Sequence, residues 1–237
     1  VQETLEEAAA KPRSMKTRWL GAEVDYQWAW DLQRRLHESV CGGGESETLL
    51  LEHASVFTAG SRTEQHELPV DQTPVVWVDR GGKITWHGPG QAVVYPIVAL
   101  PDAVRVVDWV RRLEEAILRA LAEWGIRARR IADRAGVWLD DAAGPRKIAQ
   151  IGVRVSQRVS MHGVAINVSC GMQGFDQIVP CGITDAGVTS MQTELAGRGA
   201  AAPHVREVAE AFARHLQELL DFEPFDTIAE TNKEEQR

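Results

Sequence analysis

Cys181 stands between Pro180 and Gly182 at the end of the apolar pair Ile178-Val179. Pro180 fixes its own φ and biases Val179 towards extended backbone, while Gly182 permits a sharp turn just past the sulfur. A strand that stops on such a bend can present its thiol as a nucleophile. The same bend also suits an inert buried cysteine, so the chemistry depends on a neighbour able to favour the thiolate. Lysine is such a neighbour. Lys147 opens the apolar-alternating run Ile148-Ala149-Gln150-Ile151-Gly152, although a solvated edge lysine is the plainer reading of that position. His162, in Met161-His162-Gly163-Val164-Ala165-Ile166-Asn167, is either a catalytic helper or, on a slightly stronger reading, a core histidine with its hydrogen bonds met.

Gly81, Gly82, Gly88 and Gly90 crowd a short stretch between two apolar runs. Glycines there allow a ligand or a second strand to approach the backbone, and an ordinary glycine-rich hairpin is an equal alternative. The polar company is Arg80, Lys83, Thr85, His87 and Gln91. The stretch contains neither a GxGxxG unit between strand and helix nor a GxxxxGK[ST] loop, so it carries no nucleotide fingerprint.

The elements that must position these residues are legible as periodicities. Asp25 reads as the N-cap of a helix to about Val40, with Ala29, Leu32, Leu36 and Val40 on one face and Gly42-Gly43-Gly44 at its end. Thr48–His53 and Val75–Val78 read as buried strands, and Ala92–Leu100 as a strand in which Pro96 marks an edge or bend. Asp102 is the expected cap of a helix ending at Gly125, with Val106, Val110, Leu113, Ile117, Leu121 and Trp124 as its stripe. Strands are expected at Ile126–Arg130, Gly136–Leu139, Lys147–Val155 and Val159–Val168, with a reversal at Ser156-Gln157-Arg158. A last helix, His204 to Leu220, presents Val205, Val208, Phe212, Leu216 and Leu219. Mixed elements without strict βαβ alternation make the class α+β. Residues 1–16 read as a mobile tail, 17–185 as the catalytic domain and 186–237 as a small C-terminal helical subdomain with its tail.

The chain of 237 residues is 44% hydrophobic and 25% charged, which suits an ordinary water-soluble domain. It has no apolar run near the length of a membrane span and no leader pattern at its acidic start. A formal charge of −8 argues against sequence-independent nucleic-acid binding. Three cysteines, Cys41, Cys170 and Cys181, without C-x-x-C spacing point to a reducing, cytoplasmic setting with neither a disulfide scaffold nor a metal site.

Taken together, the blocks resemble one family. Arg80-Gly81-Gly82-x-x-x-x-His87-Gly88-Pro89-Gly90-Gln91, then Arg146-Lys147-Ile148, Ile151-Gly152-Val153-Arg154, His162-Gly163-Val164-Ala165-Ile166-Asn167 and Pro180-Cys181-Gly182-Ile183 follow the order seen in the octanoyltransferases of protein lipoylation. The resemblance covers roughly residues 17–220, and Trp86 stands where many relatives have Tyr. It implies the fold of biotin and lipoate protein ligases, a mixed β-sheet flanked by helices. It also implies transfer of an octanoyl group from octanoyl-acyl carrier protein to a lysine of lipoyl domains, in 2-oxoacid dehydrogenase complexes and in the glycine cleavage H protein. By the same match Cys181 is the nucleophile and Lys147 its partner, with no cofactor. The implied substrate wall is Arg80, Gly81, Gly82, Lys83, Ile84, Thr85, Trp86 and His87, with Gln150, Ile151 and Gly152, and with Gly163, Val164 and Ala165. Because the implied partner proteins are acidic, a basic rim drawn from Arg62, Arg80, Lys83, Arg146 and Arg154 is expected. Three rivals stay open: an ATP-dependent lipoate or biotin ligase of the same fold, a cysteine hydrolase using His87 or His162 as base, and a non-catalytic acyl-binding module.

Overall fold

The structure is a computed structural model that describes residues 15–69, 73–140, 142, 144–178 and 185–225. Its strands are β1 (Lys16–Val24), β2 (Glu47–His53), β3 (Val56–Ala59), β4 (Val75–Trp77), β5 (Thr85–His87), β6 (Gln91–Ile97), β7 (Arg129–Ile131), β8 (Arg134–Leu139), β9 (Arg146–Ser156), β10 (Val159–Asn167) and β11 (Gly187–Val188). Its helices are α1 (Tyr26–Cys41), α2 (Val106–Glu123), α3 (Met191–Ala196) and α4 (Val205–Glu218). The main sheet runs β1-β2-β6-β10-β9-β8-β7, with β11 beside the start of β9, and a small sheet runs β4-β3-β5. In the main sheet, β1 with β2 and β11 with β9 are parallel and the other pairs antiparallel. The class is α+β, as the mixed periodicities imply.

Alternation along the central strands explains why both sheet faces are covered. Leu50, Ala92 and Val94 enter the core that α2 and α4 share. Leu49, Leu51, Val93, Tyr95 and Ile97 enter the core beneath α1. A sheet buried on both faces reads as a near-continuous apolar run, which is what Leu49-Leu50-Leu51 and Ala92-Val93-Val94-Tyr95 are. On α2, Leu113, Ile117 and Leu121 are fully buried, each worth roughly 1.5–3 kcal/mol of apolar transfer. Asp25 caps α1 by accepting from the Trp28 N–H at 2.8 Å.

Several expectations are corrected. Asp102 does not cap α2. Arg105 is its N-cap, and the Asp108 side chain closes the first turn on the Arg105 N–H. Val106 therefore opens the helix 48% exposed rather than joining its stripe. Pro96 lies inside central β6, not at an edge. The β6–β10 register stops at Val94, so no pairing to β10 is lost at the proline, and Ser160 Oγ–H donates to Pro96 O at 2.6 Å. Val75–Trp77 is an edge strand with Trp77 57% exposed, because β4 pairs on one side only. The strand expected at Ile126–Arg130 is β7, at Arg129–Ile131.

The reversal at Gln157-Arg158 is a two-residue turn with φ of 49° and 61°, the left-handed pair that strand twist favours. The glycine-rich stretch is not a hairpin turn, for β5 lies inside it and pairs with β3. β1 opens at Lys16 and Met15 is buried, with its N–H donating to Gln217 Oε1 at 2.9 Å. The rest of the expected tail, 1–14, lies outside the described residues. α3 and α4 contribute Met191, Leu195, Val208, Phe212 and Leu216 to the same core as α2.

Candidate active site

A cavity of about 240 Å³ opens where β9 and β10 pass the glycine-rich stretch. β9 supplies Lys147, Gln150, Ile151 and Gly152, and β10 supplies His162, Gly163, Val164 and Ala165. Thr85 and His87 enter from β5, and Arg80, Gly82 and Lys83 from the loop before it. Most of the expected wall therefore converges on one space. Three expected residues do not line it. Gly81 instead fastens the loop, its N–H donating to Val153 O at 3.0 Å. Ile84, just before β5, and Trp86 within it point the other way, into a small cluster with Phe57, Cys170 and Phe175. The period of a strand dictates this: Thr85 and His87 can face the cavity only if their neighbours face away.

Lys147 is no solvated edge residue: it is 5% exposed. The reason is a β-bulge. Trp138 pairs with Lys147 and Val137 with Ala149, so one step on β8 spans two on β9 and Ile148 is the extra residue. Parity flips across the bulge. Ile148 and Ala149 both enter the main core, and Lys147 and Gln150, three apart, both line the cavity. Lys147 Nζ sits 4.5 Å from the centre of the Trp138 ring. No ion pair to Lys147 occurs among the described residues.

The expected basic rim is mostly spent inside the protein. Arg80 is buried and donates to Gly81 O, Lys83 O and Thr58 O at 3.1, 2.9 and 2.8 Å, so it braces the loop. Lys83 Nζ bonds Glu67 at 2.6 Å and Glu64 at 2.9 Å, and these two carboxylates raise its affinity for the proton. Arg146 pairs with Glu194 at 2.6 Å, and Arg154 pairs with Asp79. Arg62 alone of the five is exposed at the cavity with no ion pair among the described residues.

Tyr26, His87, Tyr95 and His162 stand on the polar side of the cavity, with His53 behind Tyr95. His53 Nδ1–H donates to Val24 O at 2.8 Å, which leaves Nε2 to accept from the Tyr95 hydroxyl at 2.7 Å. Gln91 Nε2 donates to Asn167 Oδ1 at 3.0 Å, so its Oε1 faces His87 and accepts from Nδ1–H at 2.7 Å. His162 Nε2 meets Asp79 at 2.9 Å, yet its Nδ1 is buried without a partner among the described residues. The expected, fully satisfied core histidine is therefore only half satisfied. Thr85 Oγ1 and both amide atoms of Gln150 are likewise buried and unpartnered there. A cavity with such atoms suits a ligand carrying a polar group as well as an apolar one.

Burial pushes His53 down to about 4, and burial followed by the nearby His53 pushes His87 down to about 3. Both are depressed from 6.5, so the unfolded chain takes up their protons first as pH falls. Their contribution to stability is complete above pH 6.5 and drains away towards pH 4 and below, by about 3 kcal/mol for His53 alone. Denaturant midpoints should drop steeply between pH 6.5 and 4, and His53→Gln should flatten that slope. An unchanged slope in the variant would assign the acid sensitivity elsewhere.

Tyr26, Tyr95, Asp133, Arg134 and Ala135 also line the cavity and were not singled out from the sequence. Only Tyr95 left a signal, as the polar member of a β6 face shared with Val93 and Ile97. Arg134 reaches Asp185 Oδ2 at 2.5 Å, so it ties the chain just after residues 179–184 to the cavity edge. Cys181 itself lies outside the described residues.

Comparison with known proteins decides the family. The lipoyl protein ligase A/B catalytic domain matches residues 25–217. The chain belongs to this family. Within it, an octanoyltransferase of Mycolicibacterium gilvum is 51% identical over 199 residues, covering 83% of each protein. One of Pseudarthrobacter chlorophenolicus is 54% identical over 200 residues, covering 83% of this chain and 90% of that protein. The family branch is thus the octanoyltransferases, and the chain is a transferase of that kind. The fold is shared more widely. A bipartite lipoate protein ligase of Thermoplasma acidophilum, 15% identical, superposes with a TM-score of 0.62 over 93% of this chain and 90% of that one. A biotin protein ligase of Leishmania major solved with biotinyl-5-AMP, 14% identical, gives 0.58 over 94% and 80%. The family and the ligase-like fold are those that the ordered motif blocks imply.

Proposed function

We propose that the chain moves an octanoyl group from octanoyl-acyl carrier protein to a lysine amine of lipoyl domains, through a thioester on Cys181 with Lys147 as its partner. The observation that carries this reading is the buried Lys147 at the cavity wall without a carboxylate among the described residues. A buried ammonium needs a counter-group, and a thiolate supplies one. What supports Cys181 as that thiolate is connectivity. β11 opens six positions after Cys181 and pairs with Arg146 and Lys147, and Asp185 is held by Arg134.

In the first half-reaction the Cys181 thiolate attacks the donor's thioester carbonyl. The C–S bond to the carrier breaks, and the carrier leaves as a thiolate that takes up a proton. Thioester replaces thioester, so the acyl-enzyme is neither trapped nor lost. Acylation removes the negative charge beside Lys147, and its ammonium hands its proton to the departing carrier thiolate. The neutral amine then takes the proton of the incoming lysine amine as that nitrogen attacks. An amide forms, the C–S bond to Cys181 breaks, and Cys181 returns to thiolate beside the recharged Lys147. The acceptors are the lipoyl domains of 2-oxoacid dehydrogenase complexes and the glycine cleavage H protein. The setting is the cytoplasm, where a free thiol persists. No membrane-spanning helix occurs among the described residues.

His87 makes a poor base for the hydrolase alternative, because burial holds it neutral to about pH 3 and its Nδ1–H is committed to Gln91. Intact mass after mixing with octanoyl-carrier protein tests the proposal. One octanoyl mass should appear, map to Cys181 and vanish in Cys181→Ala. Cys170 is no competitor, because burial pushes its thiol up to about 12. A label on Cys41 or Cys170 would overturn the assignment. Activity of Cys181→Ala with octanoate, ATP and magnesium would point to the ligase reaction instead.

A further inference from the structure

The Lys147 side chain has a partner that the motif match does not name. We propose that Trp138 is a positioning residue for Lys147: its indole face holds the ammonium at the cavity wall and leaves the remaining N–H donors free for the reacting groups. The inference rests on the proposed role of Lys147.

Five observations converge on it. Trp138 sits directly across the β8–β9 ladder from Lys147, in the pair next to the bulge. Nζ stands 4.5 Å from the ring centre, inside the range of a cation–π contact. Val137 and Leu139 both enter the main core, so Trp138, 0% exposed, faces the opposite side of β8. Its ring is oriented by Nε1–H, which points to Arg134 O at 3.4 Å. Finally, Gly136 keeps the space open. Its φ is +115°, and a Cβ there would lie 3.3 Å from Lys147 Cε and 2.6 Å from Ala149 O. The Gly136 N–H is held by the fully buried Glu114 at 3.2 Å.

The choice of an aromatic face over a carboxylate has a physical reason. A carboxylate in ion-pair contact would neutralise Lys147 permanently and compete with the thiolate for it. An indole face attracts the cation without carrying a charge and without accepting a conventional hydrogen bond. The ammonium has three donors, and a ring on one side leaves the others directed into the cavity. The bulge then has a purpose, because regular alternation from Lys147 through Ile148 to Ala149 would put Lys147 on the core face with Ala149, away from Trp138.

The test replaces Trp138 with fluorinated tryptophans, which drain the ring face of electron density at nearly constant volume. Single-turnover acylation by octanoyl-carrier protein should slow in step with fluorination, by about tenfold at the highest substitution, with KM for the donor unchanged. Trp138→Phe should keep part of the rate and Trp138→Leu least. In a Lys147→Met background the fluorine series should have no effect, because the two residues act as one unit. The Lys147 ε-CH2 protons should also show an upfield ring-current shift that Trp138→Leu abolishes. A flat fluorine series in an enzyme that forms the Cys181 adduct, or a missing ring-current shift, overturns the role of Trp138. Absence of any Cys181 adduct in the unsubstituted protein sinks the functional reading instead, and the ring-current shift still decides whether the contact exists.

Discussion

Lys147→Arg is expected to form octanoyl-enzyme and then stall. Under the proposed Cys181–Lys147 pairing, arginine keeps the positive charge that favours the thiolate, so the first half-reaction should proceed. It does not lose its proton in proteins, so it has no base to offer the incoming amine once Cys181 is acylated. Transfer to the lipoyl-domain lysine should fall by at least about a hundredfold, the usual worth of a general base. Lys147→Met, with neither charge nor base, should slow both halves. Rapid-quench mass spectrometry of each half-reaction reads the difference directly. Folding must be checked beside it, since the slot between the Trp138 ring and Gly136 is narrow and arginine is the larger side chain. A folded Lys147→Arg that acylates and then transfers at the unsubstituted rate would remove Lys147 as the second-step base. Neither cavity histidine would replace it, because burial pushes both His87 and His162 down to about 3.

Gly163→Ala should cause the largest loss of stability. A methyl group there would lie 2.1 Å from Val94 O and 2.7 Å from Pro96 Cδ. Both belong to β6, which is hydrogen-bonded to β10 in the middle of the main sheet. A carbonyl in a ladder and a proline ring have nowhere to go, so the two strands must part. The expected cost is about 3 kcal/mol or more, a large share of the roughly 5–15 kcal/mol that holds a domain together. Thermal unfolding should fall by about 10 °C. Gly197→Ala is the control: its nearest contact would be Glu194 O at 3.8 Å, an ordinary van der Waals distance, so the fold should survive. An unchanged melting point for Gly163→Ala would contradict the close approach of β6 and β10. The prediction also separates two explanations for the same glycine. A place in the substrate wall requires only that the backbone be accessible, whereas the packing of β6 against β10 forbids any side chain at all.

Sequence alone determined those features that local rules govern. The Asp25 cap and the stripe of α4 obey local rules and could be read directly, whereas on α1 Ala29 and Val40 are buried but Gln33 and His37 take the middle of the face and leave Leu32 and Leu36 half-buried. The continuous apolar runs of β2 and β6 announced a sheet buried on both faces. The ordered blocks from Arg80 to Cys181 marked the family, because each residue type there answers to its own chemistry and the spacing between blocks is set by the fold.

Tertiary structure decided what depends on a partner distant in sequence. A bulge exists only relative to the opposite strand, so Ile148 could not be read as an extra residue until β8 lay beside β9. With it came the burial of Lys147 and its contact with Trp138. The short β3 and β5 carry too few residues for a periodic signal, and their pairing alone sends Thr85 and His87 to the cavity and Trp86 away from it. The basic rim dissolved for the same reason. Arg146 and Arg154 look like free cations until Glu194 and Asp79 are folded against them. Charge in a sequence is a local property, but whether that charge faces a ligand or is neutralised within the protein is settled by contacts that only the assembled chain makes.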